Sequence, residues 1–488
     1  MKRKSLILLP LVACSIGALA GCGGGGAKTK FVISISARSY ASEQNMLNLW
    51  KREYEARNPL VQVNVSGWGS NEGTSESYIM KNALNRDYLT NIVYTTDDST
   101  ANLATKKNFV DLRPYFEADP ETDYTKYYSS MLDLTTFFGE FRPTTSYTGS
   151  YPAEKSNDAQ YGMYFAPREY NMPAILCNVT LFKEHFATEE EKNNWGSDTL
   201  RNIWLRLGES SEWTWSTFVK AVQNISKKCE DLNRSGDVGF RAMELNHTWE
   251  PVYTTIMKEL GGDGLFAVDE HDEVQPNLTS AANKAAYTKI INDFGKNANK
   301  YMIDTDYGNQ NFSYRTVFGV VVSYPEVGNF YEAFKKVNYE LDAINIPCEY
   351  VAAGCGGYGI LVDKAKQVQK LVTGETATTG ELCWDFIKFI ISKDGQNLCG
   401  REGYIQPVLK ELADTGEWLQ AYDGKINNRA FATSKELRLD TYCFADPKLR
   451  NDLRIAGTTF FRDLFAPTTT SYEDILNKAD REFKNILK

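Results

Sequence analysis

One short segment has the side-chain spacing that can wrap a calcium ion. Its oxygen-bearing residues are Asp231, Asn233, Ser235 and Asp237. They stand at alternate positions with Gly236 at the sixth, as in a calcium-binding loop. The twelfth position, which supplies a bidentate glutamate in such loops, is Ala242. The segment is therefore either a structural calcium site or a solvated turn rich in Asp and Asn, and no other cofactor is expected.

The sequence offers little material for catalysis. Its histidines, His185, His247 and His271, are far apart, and the sequence contains no HExxH or GxSxG motif and no Gly-rich loop ending in Lys-Ser or Lys-Thr. Gly354 to Gly359 matches the spacing of a dinucleotide fingerprint. That fingerprint requires a helix directly after it, whereas an apolar strand is predicted here. Neither a hydrolytic triad nor nucleotide binding is therefore expected.

The N-terminus has the three parts of a secretory signal. A basic head, Met1 to Lys4, is followed by the uncharged apolar run Leu6 to Ala20 and then by Gly21 and Cys22. The run is shorter than the roughly 20 residues that a membrane-spanning helix needs. Leu-Ala-Gly-Cys resembles the lipobox of bacterial lipoproteins, which implies lipidation of Cys22. An ordinary cleaved signal with an incidental cysteine is the alternative.

These features predict an extracytoplasmic protein that is held at the cell membrane by its lipid. We assign 1–21 to the signal peptide and 22–30 to the lipidated cysteine and a glycine-rich tether. The net charge of −9 and the lack of a basic run argue against nucleic acid as a partner. Seven cysteines follow Cys22 without a CxxC pair, so an odd one must stay unpaired. We expect a monomer.

Strand and helix patterns alternate along the chain, which predicts an α/β fold. Phe31 to Ser36 reads as a buried strand and Leu60 to Val65 as the next. Between them a helix starts at Ser42 and ends at Asn58-Pro59. Its apolar face is formed by Met46, Leu47, Trp50 and Tyr54. The opening unit is therefore β-α-β, and 488 residues exceed what one core usually holds, so two lobes are expected.

The order of several motifs resembles the extracellular solute-binding proteins of bacterial ABC importers, in the sugar-binding branch that includes maltose-binding protein. The matching stretches are Tyr54 to Val65, Asp97-Asp98 before Val110 to Tyr115, Asn178 to Phe182, Trp213 to Phe218, Gly354 to Gly359, Trp384 to Gln396 and Gly403 to Pro407. Each is weak alone, but together they keep the order of the family. The resemblance implies a periplasmic-binding-protein-like (type II) fold, in which a hinge joins two α/β lobes and the ligand lies in the interlobe cleft.

The resemblance also implies the bounds of the lobes. The first lobe would comprise 31–163 and 357–405, and the second 164–356 and 406–488. The crossings would fall near Gly162 to Glu169, Gly354 to Gly357 and Gly403 to Val408. Glycines suit such positions because a hinge needs residues that absorb backbone rotation. Residues 120–160 read as an insertion or a long surface loop.

The residues that we predict to bind the ligand follow strands, lie near the crossings or provide stacking rings. They are Arg38, Tyr40, Asp97, Asp98, Asn171, Trp249, Tyr324, Tyr358 and Tyr404. Trp249 is the main predicted stacking platform, and relatives place a stacking aromatic where Tyr324 stands. Each of these residues could instead have a core or surface role.

The resemblance implies a binding protein and not an enzyme. It would capture a carbohydrate, with an oligosaccharide as the expected ligand, and deliver it to the permease subunits of an ABC transporter. A surface-anchored glycan-active enzyme is the alternative from another class, because a glycosidase needs only two suitably spaced carboxylates. The same binding fold could also take a peptide, a polyamine or an anion.

Overall fold

Two five-stranded sheets organise the chain, and each carries helices on its faces. A computed structural model describes residues 28–69, 75–96, 108–128, 136–138, 161–196, 198–234, 239–245, 249–271, 274–297, 299–305, 312, 315–437 and 447–488. Lys2, Cys22 and the glycines after it lie outside these residues, as do Asp97, Asp98 and most of 120–160. Within the described part, no helix combines the length and the apolarity that crossing a bilayer requires.

The strands, in chain order, are β1 Phe31–Arg38, β2 Val61–Trp68, β3 Ile92–Thr96, β4 Thr136–Phe138, β5 Tyr161–Met163, β6 Ala166–Asn171, β7 Pro173–Asn178, β8 Arg241–Glu244, β9 Phe266–Val268, β10 Val274–Pro276, β11 Ile303–Asp304, β12 Val317–Ser323, β13 Leu341–Ile344, β14 Tyr350–Ala352, β15 Gly354–Ile360, β16 Val368–Lys370, β17 Thr376–Thr378 and β18 Lys435–Leu437.

The helices are α1 Ala41–Arg57, α2 Ser75–Lys81, α3 Arg113–Ala118, α4 Val179–His185, α5 Glu189–Asn193, α6 Thr199–Leu207, α7 Trp215–Arg234, α8 Trp249–Glu259, α9 Ala281–Ile290, α10 Tyr324–Lys335, α11 Val362–Ala365, α12 Thr379–Ile391, α13 Lys393–Arg401, α14 Leu412–Thr415, α15 Pro447–Phe465 and α16 Tyr472–Leu487. Short 3₁₀ turns at Glu417–Gln420, Tyr422–Gly424 and Asn428–Ala432 follow α14.

The first sheet confirms the predicted β-α-β opening. Its strand order is β2-β1-β3-β15-β6, with β1 parallel to both β2 and β3. The predicted apolar face of α1 is buried against this sheet. The Trp50 indole nitrogen on that face donates to the Gly395 carbonyl at 2.8 Å and so ties α1 to α13. We call this sheet and its helices the first lobe.

The second sheet has the order β11-β8-β12-β7-β13, and we call it, with its helices, the second lobe. The chain passes from the first sheet to the second at Met172, between β6 and β7. It returns between β13 and β15, and it crosses again near Gln406. The Gln406 carbonyl accepts from the Tyr170 backbone and its side chain accepts from the Met172 backbone, so two crossings are bonded to each other.

Two predicted lobe boundaries need correction. All of β6 pairs in the first sheet, whereas the prediction placed residues after 163 in the second lobe. Likewise β15 belongs to the first sheet from Gly354 onward, not from 357. The change from the first sheet to the second cannot be read from the sequence, because β6 and β7 are both buried strands and only Met172 separates them.

The glycine run predicted as a hinge is instead a central strand. Gly354 to Ile360 pairs on both sides, with β3 and with β6. A Cβ on Gly356 would collide with the Tyr94 hydroxyl, and one on Gly357 would collide with the Ala166 carbonyl. Glycine is therefore needed there for close packing. Gly403 differs, because its φ of 76° lies in the left-handed region that favours glycine.

Candidate functional site

A β-bulge places two oppositely charged neighbours on the same side of the first sheet. Along the pairing of β6 with β15, Glu169 lies opposite Gly356 and Pro167 opposite Gly357, so Arg168 is the extra residue. A bulge of this kind re-aims a side chain that would otherwise point to the opposite face. Arg168 Nη2 consequently lies 2.5 Å from Glu169 Oε2.

Arg168 is the centre of a buried charge network. Its Nη1 donates to Glu43 Oε2 at 2.6 Å, and Glu43 lies in the first turn of α1. Glu43 Oε1 also accepts from Arg38 Nη2 at 2.8 Å, at the end of β1. Arg168 is only 1% exposed. A guanidinium can be buried in this way because it holds two carboxylates through charge-assisted hydrogen bonds.

Two tyrosines complete the network from β3 and β15. The Arg168 guanidinium lies 4.2 Å from the centre of the Tyr94 ring, and the Tyr94 hydroxyl donates to Glu169 Oε1 at 3.3 Å. The Tyr358 hydroxyl accepts from Arg168 Nη1 at 3.4 Å. The absence of a side chain on Gly356 leaves the room that Tyr94 needs.

The arrangement keeps the network charged. Burial alone would raise the pKa of Glu43, but Arg168 and Arg38 outweigh it and hold the pKa below its ordinary value. Burial also raises the pKa of both Tyr94 and Tyr358, so their hydroxyls stay protonated. The network is thus a fixed set of ionised and neutral groups at neutral pH.

The network forms one wall of a cavity between the lobes, which we call the interlobe cavity. Its volume is about 610 Å³. The first lobe contributes Arg38, Glu43, Asn45, Arg168, Glu169, Arg401 and Tyr404. The residues that face them from α10 and the following turns are Pro325, Asn329, Tyr331, Lys335, Gln420, Tyr422 and Asp423. The size suits a small ligand, and the lining combines tyrosine rings with charged and amide groups.

Tyr422 closes one side of the interlobe cavity. Its hydroxyl donates to the Gly403 carbonyl at 2.7 Å, and its ring packs where a Cβ on Gly403 would be. Tyr422 and Asp423 both have φ near 60°. Successive non-glycine residues in the left-handed region are costly, so surrounding contacts must hold this turn in place.

Three predicted ligand residues lie at or beside the interlobe cavity. Arg38 and Tyr404 line it. Tyr40 is 54% exposed and lies next to Arg38, whose guanidinium is 5.3 Å from its ring centre. Arg38 ends β1 as predicted, and its role in ligand binding stays a prediction.

The other three described candidates do not line the interlobe cavity. Tyr358 is fully buried behind Arg168, so it supports the network and does not reach the interlobe cavity. Tyr324 is also fully buried, between the rings of Trp418 and Phe431, and offers no free stacking face. Asn171 ends β6, and its Oδ1 has no hydrogen-bond partner among the described residues.

Asp97, Asp98 and Cys22 lie outside the described residues. Trp249 is the first residue of α8, and the description does not extend to its side chain. These four predictions therefore stay predictions.

The calcium-loop prediction conflicts with the backbone that the structure describes. Asp231 and Asn233 belong to the helix α7, whereas a calcium loop would need them in a loop. The side-chain oxygen of Asn233 already accepts from the Phe240 backbone at 2.8 Å. Ser235 and Asp237 lie outside the described residues.

Sequence reasoning missed Glu43, Tyr94, Arg168 and Glu169 as site residues. Two signals could have revealed them. Arg168 and Glu169 are a charged pair inside a strand that begins with Ala-Pro and is followed by the apolar strand β7, and Glu43 falls on the same helical face as Met46 and Trp50. Charges on buried faces must be paired, which would have prompted a search for partners.

Neither a protein-family model nor a curated protein matches the sequence. Solved structures do match over nearly the whole chain. An ABC substrate-binding protein from Listeria monocytogenes in complex with cycloalternan is 12% identical, with a TM-score of 0.58 over 93% of this chain and 98% of that one. The sugar-binding protein MalE from Xanthomonas citri is 12% identical, with a TM-score of 0.62 over 93% and 97%.

A third match is the cyclic alpha-maltosyl-1,6-maltose binding protein from Arthrobacter globiformis. It is 13% identical, with a TM-score of 0.61 over 94% of this chain and 99% of that one. At such identities the likeness concerns the fold. The chain has the two-lobed periplasmic-binding-protein-like (type II) fold of these substrate-binding proteins.

Proposed function

We propose that this protein captures a carbohydrate between its lobes and delivers it to the permease subunits of an ABC transporter. The observation that carries the proposal is the interlobe cavity, to which both lobes contribute side chains. Similar structures supply context, because one of them is in complex with cycloalternan and the two others are sugar-binding proteins. A ligand that touches both lobes favours the closed arrangement, which is how capture would be linked to delivery.

The chemistry of the interlobe cavity suits a sugar. Tyr331, Tyr404 and Tyr422 offer ring surfaces, while Arg38 and Asn45 offer a donor and an acceptor for hydroxyl groups. The charge network holds the first-lobe groups in position before the ligand arrives. Such preorganisation lowers the ordering cost of binding.

A glycan-active enzyme is less well supported by the same geometry. A glycosidase needs a carboxylic acid whose pKa is raised so that it can protonate the leaving group. Glu43 has a lowered pKa because Arg168 and Arg38 offset its burial. Glu169 is held by Arg168 and by Tyr94. Both carboxylates are thus committed to positioning.

Glycan binding is the first test. Thermal-shift screening against maltooligosaccharides, cellooligosaccharides and xylooligosaccharides should find a stabilising sugar, and calorimetry on that sugar should give saturable binding. A reducing-sugar assay should detect no product. Stabilisation only by peptides, polyamines or anions would replace carbohydrate with that ligand class, and released reducing sugar would favour the enzyme.

Membrane attachment through Cys22 is a separate part of the proposal. The Leu-Ala-Gly-Cys junction and the glycines after it support a lipid anchor. Cys22→Ser should therefore leave the protein in the soluble fraction of the producing bacterium, while Cys443→Ser should stay with the membrane. Equal membrane retention of both variants would contradict the anchor.

A further inference from the structure

A larger cavity lies along the edge of the second sheet, and we call it the strand-edge cavity. Its volume is about 830 Å³. The edge strand β13 contributes Leu341 and Asp342. The segment between two 3₁₀ turns contributes Lys425 to Asn427, and Asn428 begins the second turn. Trp195 and Tyr339 lie on its rim, half-buried. Its size is within the range of sites that hold organic ligands.

Asp342 brings an unusual acceptor into this cavity. It is only 8% exposed, yet no cation is paired with it among the described residues. Its Oδ1 accepts from the backbones of Ala343 and Asn427, each at 2.7 Å. Its Oδ2 accepts no hydrogen bond from the described part of the chain. This oxygen is not among the fully buried side-chain atoms, so a ligand donor in the cavity can reach it in place of water.

A second acceptor in the lining also lacks a partner. The Asn428 side chain is 1% exposed and its Nδ2 donates to the Trp418 carbonyl at 2.8 Å. Its Oδ1 has no hydrogen-bond partner in the described structure. Two unfilled acceptors in one lining indicate a ligand that carries hydrogen-bond donors.

The aromatic residues argue against a cationic ligand. Lys183 lies 4.8 Å from the ring centre of Trp195, Lys335 lies 5.3 Å from Tyr331, and the Arg315 guanidinium lies 5.8 Å from Tyr339. Each ring therefore already has a cation against it. A polyamine would be repelled by these charges, whereas a neutral polyhydroxyl ligand would not.

The two cavities meet at α10. Tyr331 and Lys335 line both the interlobe cavity and the strand-edge cavity. At this boundary between the cavities, the Tyr331 hydroxyl donates to Asp423 Oδ2 at 2.9 Å. The Lys335 side chain there is exposed. A chain-like ligand that starts between the lobes can therefore continue over Lys335 to Asp342.

We infer that the strand-edge cavity is a second saccharide-binding site, which takes the outer units of a glycan whose first units lie in the interlobe cavity. The inference rests on the proposed function and narrows its ligand to an oligosaccharide long enough to pass α10. Asp342 and Asn428 accept hydrogen bonds from sugar hydroxyls, and Trp195 and Tyr339 provide apolar surface.

Calorimetry with short and long members of one sugar series tests this inference. The probes are the disaccharide and the heptasaccharide of α-1,4-glucan, β-1,4-glucan and β-1,4-xylan. Asp342→Asn removes the charge of the acceptor, and Trp195→Ala removes a ring. Each should weaken heptasaccharide binding roughly tenfold and leave disaccharide binding unchanged. Tyr301→Ala is the matched control, because Tyr301 is half-buried under Lys300 but lines neither cavity.

The outcomes separate the two proposals. If no sugar of any series binds the unaltered protein, the proposed function fails. If sugars bind but the heptasaccharide gains nothing over the disaccharide, or if both variants bind the heptasaccharide normally, only the strand-edge site is wrong. Weakening of both probe lengths by Asp342→Asn and Trp195→Ala also contradicts a site for outer units. Circular dichroism and melting curves of each variant check the fold.

Discussion

The two lobes bury charge in opposite ways. In the first lobe Arg168 is buried together with Glu43 and Glu169, so each charge has a partner within 2.6 Å. In the second lobe Glu244 and Asp342 are 2% and 8% exposed, and neither is paired with a cation among the described residues. The first lobe thus presents a compensated network, and the second lobe presents lone carboxylates.

The difference appears in the pKa values. Burial alone would raise the pKa of Glu43, but its cations outweigh burial and lower it. Burial raises the pKa of Glu244 to about 7, with Asp304 adding to it, and raises that of Asp342 to about 6. Backbone donors offset only part of this effect. The first lobe should therefore keep its charges over a wide pH range, whereas the second should change protonation near neutrality.

Breaking the compensated network should have the largest effect. Arg168→Met leaves Glu43 and Glu169 buried without their main cation, which should cost about 3–5 kcal/mol in the free energy of unfolding. Urea denaturation at pH 7 measures this loss. The control is Arg57→Met, which removes an exposed pair with Asp394 and should cost less than about 1 kcal/mol. Equal losses in the two variants would mean that the network does not hold the first lobe together.

The lone carboxylates predict a pH dependence with a definite sign. The folded pKa of Glu244 lies above its ordinary 4.5, so folding favours the protonated form of this side chain. Its contribution to the free energy of unfolding is therefore complete below pH 4.5 and is lost as pH rises through about 7. The loss should approach about 3 kcal/mol. Glu244→Gln should remove it, so its stability relative to the unaltered protein should rise over that interval. Urea denaturation at a series of pH values measures the free energy of unfolding of both proteins. If the two free energies change with pH in parallel, Glu244 is not a lone buried carboxylate of the kind described.

Weakening the contact between the lobes at Tyr422 and Gly403 should have the smallest effect on the free energy of unfolding. Tyr422→Phe keeps the ring against Gly403 but loses the 2.7 Å hydrogen bond to its carbonyl. The expected cost in unfolding free energy is about 1 kcal/mol. Tyr331→Phe is the control, since its hydroxyl donates to an exposed carboxylate and its loss should cost less. If Tyr422→Phe costs no more than the control, the hydrogen bond from Tyr422 does not help to join Gly403 to the second lobe.

Local patterns predicted the parts of the fold that depend on near neighbours. The buried face of α1, the end of α1 and the parallel pairing of β1 with β2 followed from periodicity and from the Asn58-Pro59 stop. The final helix α16 carries signals of the same local kind, an apolar period and a Ser471 cap.

Long-range contacts explain most of what the sequence did not reveal. Glu43 and Arg168 are far apart in the chain, and the bulge that turns Arg168 exists only because β6 pairs with the glycines of β15. Tyr324 reads as a stacking residue, but the segment containing Trp418 and Phe431 covers it. A pattern along one strand carries no information about which later segment will pack on it.

Small-angle scattering tests the capture of a sugar between the lobes most directly. The sugar that gives the largest thermal shift would be added at saturating concentration, with a non-binding sugar of the same size as the control. Because the ligand should contact both lobes at once, we expect a smaller radius of gyration with the binding sugar and no change with the control. An unchanged radius of gyration at saturation would contradict capture by closure and would favour a rigid cleft.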